Sequence, residues 1–111
     1  MGQVNLVRVG ISELTDGGSF TLTSGILAQQ PSPGSSAVSL VNAGVEAFAR
    51  AAALELPRGL RINVVSPPWV SETLNAMGRD PSGGVPVAEV ARSYVESIEG
   101  KRTGEIVTPG A

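Results

Sequence analysis

Few side chains in this sequence can carry out proton transfer or nucleophilic chemistry. The chain has no Cys and no His, a single Tyr (Tyr94) and a single Lys (Lys101). These counts exclude disulfides, thiol nucleophiles, His-based triads and the common zinc sites, so we predict no metal centre. The candidate proton donors and acceptors are therefore carboxylates, hydroxyls and these two groups.

Length and charge limit the architecture and the partners. The chain has 111 residues, 41% of them hydrophobic, and its 8 Lys and Arg against 10 Asp and Glu give a net charge of −2. That is enough for one domain with one core. The weak acidic balance argues against nucleic-acid binding, and no apolar run is long enough for a membrane span or a signal peptide. We expect a cytoplasmic protein.

Helical and strand patterns alternate along the chain. Apolar residues at helical spacing and short β-rich runs between turn signals predict three helices and three strands. The helices are expected over residues 4–14, 37–56 and 87–99, and the strands over residues 19–23, 61–66 and 105–108. This order predicts an α/β fold, a parallel sheet of about three strands with flanking helices. The Gly- and Pro-rich segment 69–85 is longer than a usual connection, which indicates a lid or a mobile segment.

The helix predicted over residues 37–56 is apolar on two sides. One stripe consists of Val38, Val41, Val45, Phe48 and Ala52, and the other of Leu40, Gly44, Ala47, Ala51 and Leu54. Glu46 and Arg50 have the order that favours an ion pair one turn apart. A helix that is apolar nearly all round is buried on both sides. We expect one stripe to cover the sheet and the other to pair with a second copy of the chain; the alternative is that sequence upstream of Met1 covers it.

Four stretches of the sequence resemble the carboxyl-terminal half of a short-chain dehydrogenase/reductase. They are GSFTLTS (18–24), AAALEL (51–56), GLRINVVSP (59–67) and TGEI (103–106), of which residues 53–67 are the most specific. The resemblance implies a partial Rossmann-like fold, with a doubly wound parallel sheet. It also implies that residues 1–111 form one half of such a domain and that the half that binds the dinucleotide is absent.

In that family a serine, a tyrosine and a lysine perform the chemistry. The resemblance assigns the serine to Ser24, which would polarise a substrate carbonyl; the alternative is an ordinary serine at a strand end. The Tyr-x-x-x-Lys pair falls on Val38 and Asn42, so both catalytic positions are replaced. Asn42 is expected either to bind a ribose in place of the lysine or to face solvent or a partner.

The resemblance also implies NAD or NADP as cofactor, with Pro67, Val70 and Thr73 as the contacting positions. The family's G-x-x-x-G-x-G phosphate loop does not occur in the 111 residues, so we expect weak dinucleotide binding or none. Trp69 is expected to line a substrate pocket or to cover the sheet edge.

Three hypotheses follow from the sequence. The chain is an oxidoreductase of the short-chain dehydrogenase/reductase type that is inactive as an isolated chain. Alternatively, it is a non-catalytic family member that acts through oligomerisation by the 37–56 helix, or a truncated product without a function of its own.

Overall fold

The computed structural model describes residues 1–110, which form one open sheet with helices on both faces. The described strands are β1 (Ser19–Thr23), β2 (Arg61–Val65) and β3 (Ile106–Val107); the described α-helices are α1 (Gly2–Gly10), α2 (Ser36–Ala53), α3 (Ser71–Ala76) and α4 (Val87–Glu99). The strands are parallel and lie in the order β1-β2-β3. The predicted α/β fold with three parallel strands is therefore correct.

The two faces of the sheet differ in the side chains that they present. Leu22 of β1 and Val64 of β2 lie opposite each other in the register and belong to the core that α1 and α2 cover. Helix α4 covers the other face, where the Thr21 hydroxyl lies 2.7 Å from that of Ser97. Strand side chains alternate between the two faces of a sheet. We therefore expect the residues that directly follow β1 and β2 to direct their side chains alternately toward α2 and toward α4.

Helix α2 buries only part of the predicted stripes. Val45 and Ala49 pack in the core, and Phe48 is half-buried against it. Val38 is 49% exposed and Val41 61% exposed, so the first turns of α2 leave apolar side chains uncovered. The second stripe faces outward along its whole length. No helix within residues 1–110 is long and apolar enough to cross a membrane.

Two helices end earlier than the apolar spacing predicts. Helix α1 ends at Gly10, where the main-chain carbonyl accepts hydrogen bonds from both Glu13 and Leu14 and so begins a turn. A Cβ at position 10 would lie 2.8 Å from the Phe20 ring, so a larger residue there would require the ring to shift. Helix α2 ends at Ala53, and residues 54–56 continue as a tighter turn.

The segment 69–85, predicted as a lid or a mobile segment, forms a loop whose two ends pair with each other. It contains α3 and a 3₁₀ turn at Pro81–Gly83, and its two ends pair through a bridge between Val70 and Val85. Gly84 passes so close to Ser71 N and Trp69 O that a Cβ would lie 2.8 and 2.9 Å from them. The ends of the loop are therefore fixed to each other.

Two arginines join the helices to the amino end of the sheet. The Arg58 guanidinium donates to the carbonyls of Ile11 and Leu14 after α1 and pairs with Asp16 at 2.9 Å. Arg61 donates to main-chain carbonyls at the end of α4 and just beyond it, at Ser97 (3.0 Å), Ile98 (2.9 Å) and Arg102 (3.4 Å). Cationic donors are favourable there because the last carbonyls of a helix lack intrahelical partners.

Candidate active site

Ser24, Asn42 and Pro67, three of the predicted site residues, lie near the carboxyl end of the sheet. The Ser24 N–H donates to Val65 O at 3.0 Å, and the Ile26 N–H donates to Pro67 O at 3.2 Å, which ties the loops after β1 and β2 together. Beside them lies an open cleft of about 160 Å³, lined by Gly25–Leu27, Asn42 and Pro67–Trp69. Ligands of open α/β sheets bind at this edge, which makes the cleft the candidate active site.

Ser24 is held by a buried carboxylate. Its hydroxyl donates to Glu46 Oε2 at 2.6 Å, and Gln29 Nε2 donates to Glu46 Oε1 at 3.1 Å. Ser24 is 8% exposed and Glu46 3% exposed. A hydroxyl carries one proton and two lone pairs, so Ser24 retains acceptor capacity after this bond but has no second proton to donate.

The predicted ion pair between Glu46 and Arg50 is wrong. Glu46 points toward Ser24 and Gln29, while Arg50 is exposed. No ion pair in residues 1–110 includes Glu46. Glu46 follows Asn42 by one turn of α2, and that shared face is the signal by which the sequence could have assigned it to the site.

The structure brings Asn42 to the cleft and leaves Val38 farther out. Asn42 is half-buried, and its Nδ2 lies 3.0 Å from the point where a Cβ on Gly25 would stand. Val38 lies one turn earlier, in a shallow apolar depression with Ala37, Val41 and Asn42. A valine side chain there offers no proton.

The residues predicted to contact a cofactor are divided between two places. Pro67 lines the cleft. It does so next to Trp69, which was predicted to line a substrate pocket or to cover the sheet edge and whose ring centre lies 5.2 Å from the Arg79 guanidinium. Val70 is half-buried at the start of α3, and Thr73 is exposed on that helix; neither lines the cleft.

Tyr94 approaches β1 from the opposite side of the sheet. Its hydroxyl is hydrogen-bonded to Thr23 Oγ1, and Thr23 points away from Ser24 because neighbouring residues of a strand alternate. Lys101 is exposed beyond α4. Neither group reaches the cleft. Tyr94 cannot, because it packs on the face of the sheet opposite to Ser24.

Ser66 is a further polar residue at this edge that the sequence did not single out. It follows β2 as Ser24 follows β1, and alternation from Val64 directs its side chain to the α2 face. The residue is fully buried, yet its Oγ has no hydrogen-bond partner among residues 1–110. Such a group is uncommon and calls for an explanation.

The cleft offers contacts for a flat ring and an amide rather than for phosphate groups. Pro67–Trp69 form an apolar wall for a flat ring, and the Asn42 side chain can exchange hydrogen bonds with an amide or a hydroxyl. By contrast, the pyrophosphate of a dinucleotide rests on a Gly-rich turn at a helix start, and that motif is absent from the sequence. The searched residues contain no group of three or more potential metal-binding side chains.

Solved structures resemble the chain over nearly its whole length. The protein lin1944 from Listeria innocua is 44% identical with a TM-score of 0.88, over 96% of this chain and 55% of its own. A small-chain dehydrogenase in complex with NADPH is 28% identical with a TM-score of 0.82, over 96% of this chain and 56% of that dehydrogenase. A second small-chain dehydrogenase is 29% identical with a TM-score of 0.80, over 96% of this chain and 50% of that dehydrogenase. The chain thus spans about half the length of these proteins.

Comparison with curated proteins gives no match. A family model described as enoyl-(acyl carrier protein) reductase matches residues 1–104. Together with the parallel sheet and the structural likeness, this match shows that the chain belongs to the short-chain dehydrogenase/reductase family.

Proposed function

We propose that this chain forms the substrate-facing wall of the cleft of an NAD- or NADP-dependent oxidoreductase, and that the 111-residue chain alone does not catalyse hydride transfer. The observation that carries the proposal is the convergence of Ser24, Asn42 and Pro67–Trp69 at one carboxyl edge. The 28% identical dehydrogenase that was solved with NADPH supports the cofactor class.

When bound, the dinucleotide supplies or accepts the hydride. This chain's own part is to position the substrate oxygen beside Ser24 and Asn42 and to limit water through the Pro67–Trp69 wall. Carbonyl reduction also needs a proton at that oxygen. Val38 has none to give, and the Ser24 proton is engaged by Glu46, so the geometry favours binding over turnover.

The test is NADH and NADPH oxidation by the purified chain with a panel of aldehydes and ketones, read as the loss of absorbance of the reduced cofactor. We expect no turnover above that of the Ser24→Ala variant. Steady oxidation by the unmodified chain that disappears in Ser24→Ala would contradict the predicted inactivity. The double variant Val38→Tyr, Asn42→Lys, which restores the family's residues, tests whether these two positions account for it.

Association through α2 is a second candidate function. The observation in its favour is the outward face of the helix, where Leu40 is 74% exposed and Val41 61%, next to the small residues Gly44 and Ala47. Small residues allow close helix approach, and an exposed apolar patch indicates an interaction surface. We expect a dimer or larger oligomer in sedimentation at micromolar concentration, which Leu40→Asp should dissociate. A compact monomer of the unmodified chain would refute this candidate.

A further inference from the structure

We propose that the free edge of β1 is a docking surface for the amino-terminal half of a short-chain dehydrogenase/reductase, and that the Gln3 side chain occupies part of this edge until that half binds. The edge runs along the side of β1 that faces away from β2, whereas the cleft lies at the carboxyl end of the sheet. Docking there is main-chain pairing without chemistry, so it goes beyond the proposed function and does not depend on it.

The main chain of β1 has one unpaired side. β1 is the first strand in the order β1-β2-β3, so β2 is its one neighbour in the described sheet. The Gly18 carbonyl and the Ser24 N–H both bond to β2, which directs the even-numbered residues inward. The main-chain groups of Ser19, Thr21 and Thr23 therefore face outward. In the described part of the chain, those of Ser19 and Thr21 have no partner on that side.

Gln3, in the first turn of α1, fills the last position of this edge. Its Oε1 accepts a hydrogen bond from the Thr23 N–H, and its Nε2 donates one to Thr23 O, both at 2.8 Å. A side-chain amide has the same donor and acceptor as a peptide group, so Gln3 makes the bonds that a neighbouring strand would make. Because the first turn of a helix frays readily, an incoming strand can displace this side chain.

The two edge strands of the sheet differ in how they are protected. β3 has two residues, and a very short strand is one way in which proteins limit pairing at an edge. β1 has five residues, as many as the central strand β2, and it contains neither a proline nor a charged residue, the other common protections. β1 thus has the length and composition of an interior strand.

The fold of the relatives identifies the occupant. The chain covers only 55% of lin1944 and 56% of the dehydrogenase solved with NADPH, so both proteins contain a further part. In a doubly wound sheet of order 3-2-1-4-5-6, the phosphate-binding turn belongs to the first half, and the first strand of the second half pairs with that half. This chain lacks the turn and has its strands in sequential order, as in a second half. The strand beside β1 therefore comes from the amino-terminal half.

The experiment co-expresses the chain with the part of lin1944 that this chain does not match, which carries a purification tag. We expect the chain to co-purify with it. In the complex, the Ser19 and Thr21 amides of the ¹⁵N-labelled chain should exchange their hydrogens at least about tenfold more slowly than in the chain alone, because a strand now accepts or covers them.

A competition tests the role of Gln3. The unmodified chain and Gln3→Ala are co-expressed with a limiting amount of the tagged half, and intact mass gives their ratio in the purified complex. Gln3→Ala should be enriched about fivefold, because the incoming strand no longer displaces a bonded side chain, a gain of about one net hydrogen bond. Asn5→Ala is the matched control, since Asn5 is an exposed amide on the same helix whose side chain makes no hydrogen bond in the described part of the chain. It should show no enrichment.

A proline in β1 tests the edge itself. Thr21→Pro removes an outward N–H and leaves the bonds to β2 in place, so it should abolish co-purification. Thr21→Val loses the same hydroxyl contact with Ser97 but keeps the N–H, and it should co-purify like the unmodified chain. If Thr21→Pro does not fold, Ser19→Pro blocks the same edge at the first position of the strand, where proline is tolerated.

Three results would overturn the inference: no co-purification, equal co-purification of the proline and valine variants, or no more enrichment for Gln3→Ala than for Asn5→Ala. Slow exchange at Ser19 and Thr21 in the chain alone, together with a dimer in sedimentation, would assign the edge to a second copy and would also overturn it. These measurements use neither cofactor nor substrate. Failure of docking is therefore distinguishable from failure of the proposed oxidoreductase function.

Discussion

At the amino end of the sheet, Arg58 and Arg61 direct their guanidinium groups at main-chain carbonyls, whereas at the carboxyl end Glu46 is buried between two neutral donors. The arginines satisfy groups that the helices leave unpaired, and their function is structural. The carboxyl end instead retains unused capacity: acceptor sites on Ser24 and an unpartnered Ser66 hydroxyl. We therefore expect the arginines at the edge opposite the cleft to contribute more to stability than the polar side chains beside the cleft.

The largest expected effect is at the amino end. Arg61→Ala removes three charge-assisted donors from carbonyls at and beyond the end of α4, and should lower the free energy of unfolding by about 2 to 3 kcal/mol. Urea denaturation followed by circular dichroism measures this. Arg61→Lys keeps the charge but not the planar fork, and should recover only part of the loss. If Arg61→Ala lowered the free energy of unfolding by less than Ser24→Ala does, the amino end of the sheet would not be the more stabilising one.

Ser24→Ala should have an intermediate effect, at the carboxyl end. It leaves Glu46 Oε2 without its donor, which should lower the free energy of unfolding by about 1 to 2 kcal/mol. Glu46→Gln keeps an acceptor oxygen for Ser24 and removes the buried charge, so its loss should stay below that of Ser24→Ala. The same urea experiment compares the two variants, and a larger loss in Glu46→Gln would show that the charge itself stabilises this end.

Arg58 sharpens the comparison on a smaller scale, because its main chain adopts a positive φ of 58°. Arg58→Ala loses the donors to Ile11 and Leu14 and keeps the unfavourable backbone conformation. It should lower the free energy of unfolding by about 1 kcal/mol. Arg58→Gly loses the same donors but accommodates that φ, so it should be about 0.5 kcal/mol more stable than Arg58→Ala. Equal stability of the two variants would show that the strain relieved by glycine is no larger than the conformational entropy that glycine adds to the unfolded chain.

The smallest expected effect is the pH dependence at Asp80, in the loop that follows the cleft wall. The Ser82 backbone N–H donates to Asp80 Oδ1 at 3.0 Å and lowers the pKa of this carboxyl. Since the folded pKa is depressed, the stabilisation is present above the ordinary pKa of Asp, about 3.9, and is lost as the pH falls through the folded value. The stability difference between the unmodified chain and Asp80→Ala should therefore shrink on acidification. A stability difference that grows on acidification would contradict the lowered pKa of Asp80.

Features that depend on neighbouring residues were predictable. The strand over residues 19–23 has the predicted bounds because a β-rich run lies there between glycine turns. The family followed from residues 53–67, and Ser24 and Asn42 were assigned to the site by their motif positions. The end of α1 at Gly10 was missed because the apolar spacing continues through Ile11 and Leu14, which pack against the core from the turn that follows the helix.

The sequence by itself determined the alternation of strands and helices and the absence of His and Cys chemistry. Only the tertiary structure decided that Glu46 binds Ser24 instead of Arg50, and that Tyr94 belongs to the opposite face. Helical and strand periodicity specify which side of an element a residue occupies. The partner on that side is specified by packing between residues far apart in the chain, 22 positions for Ser24 and Glu46.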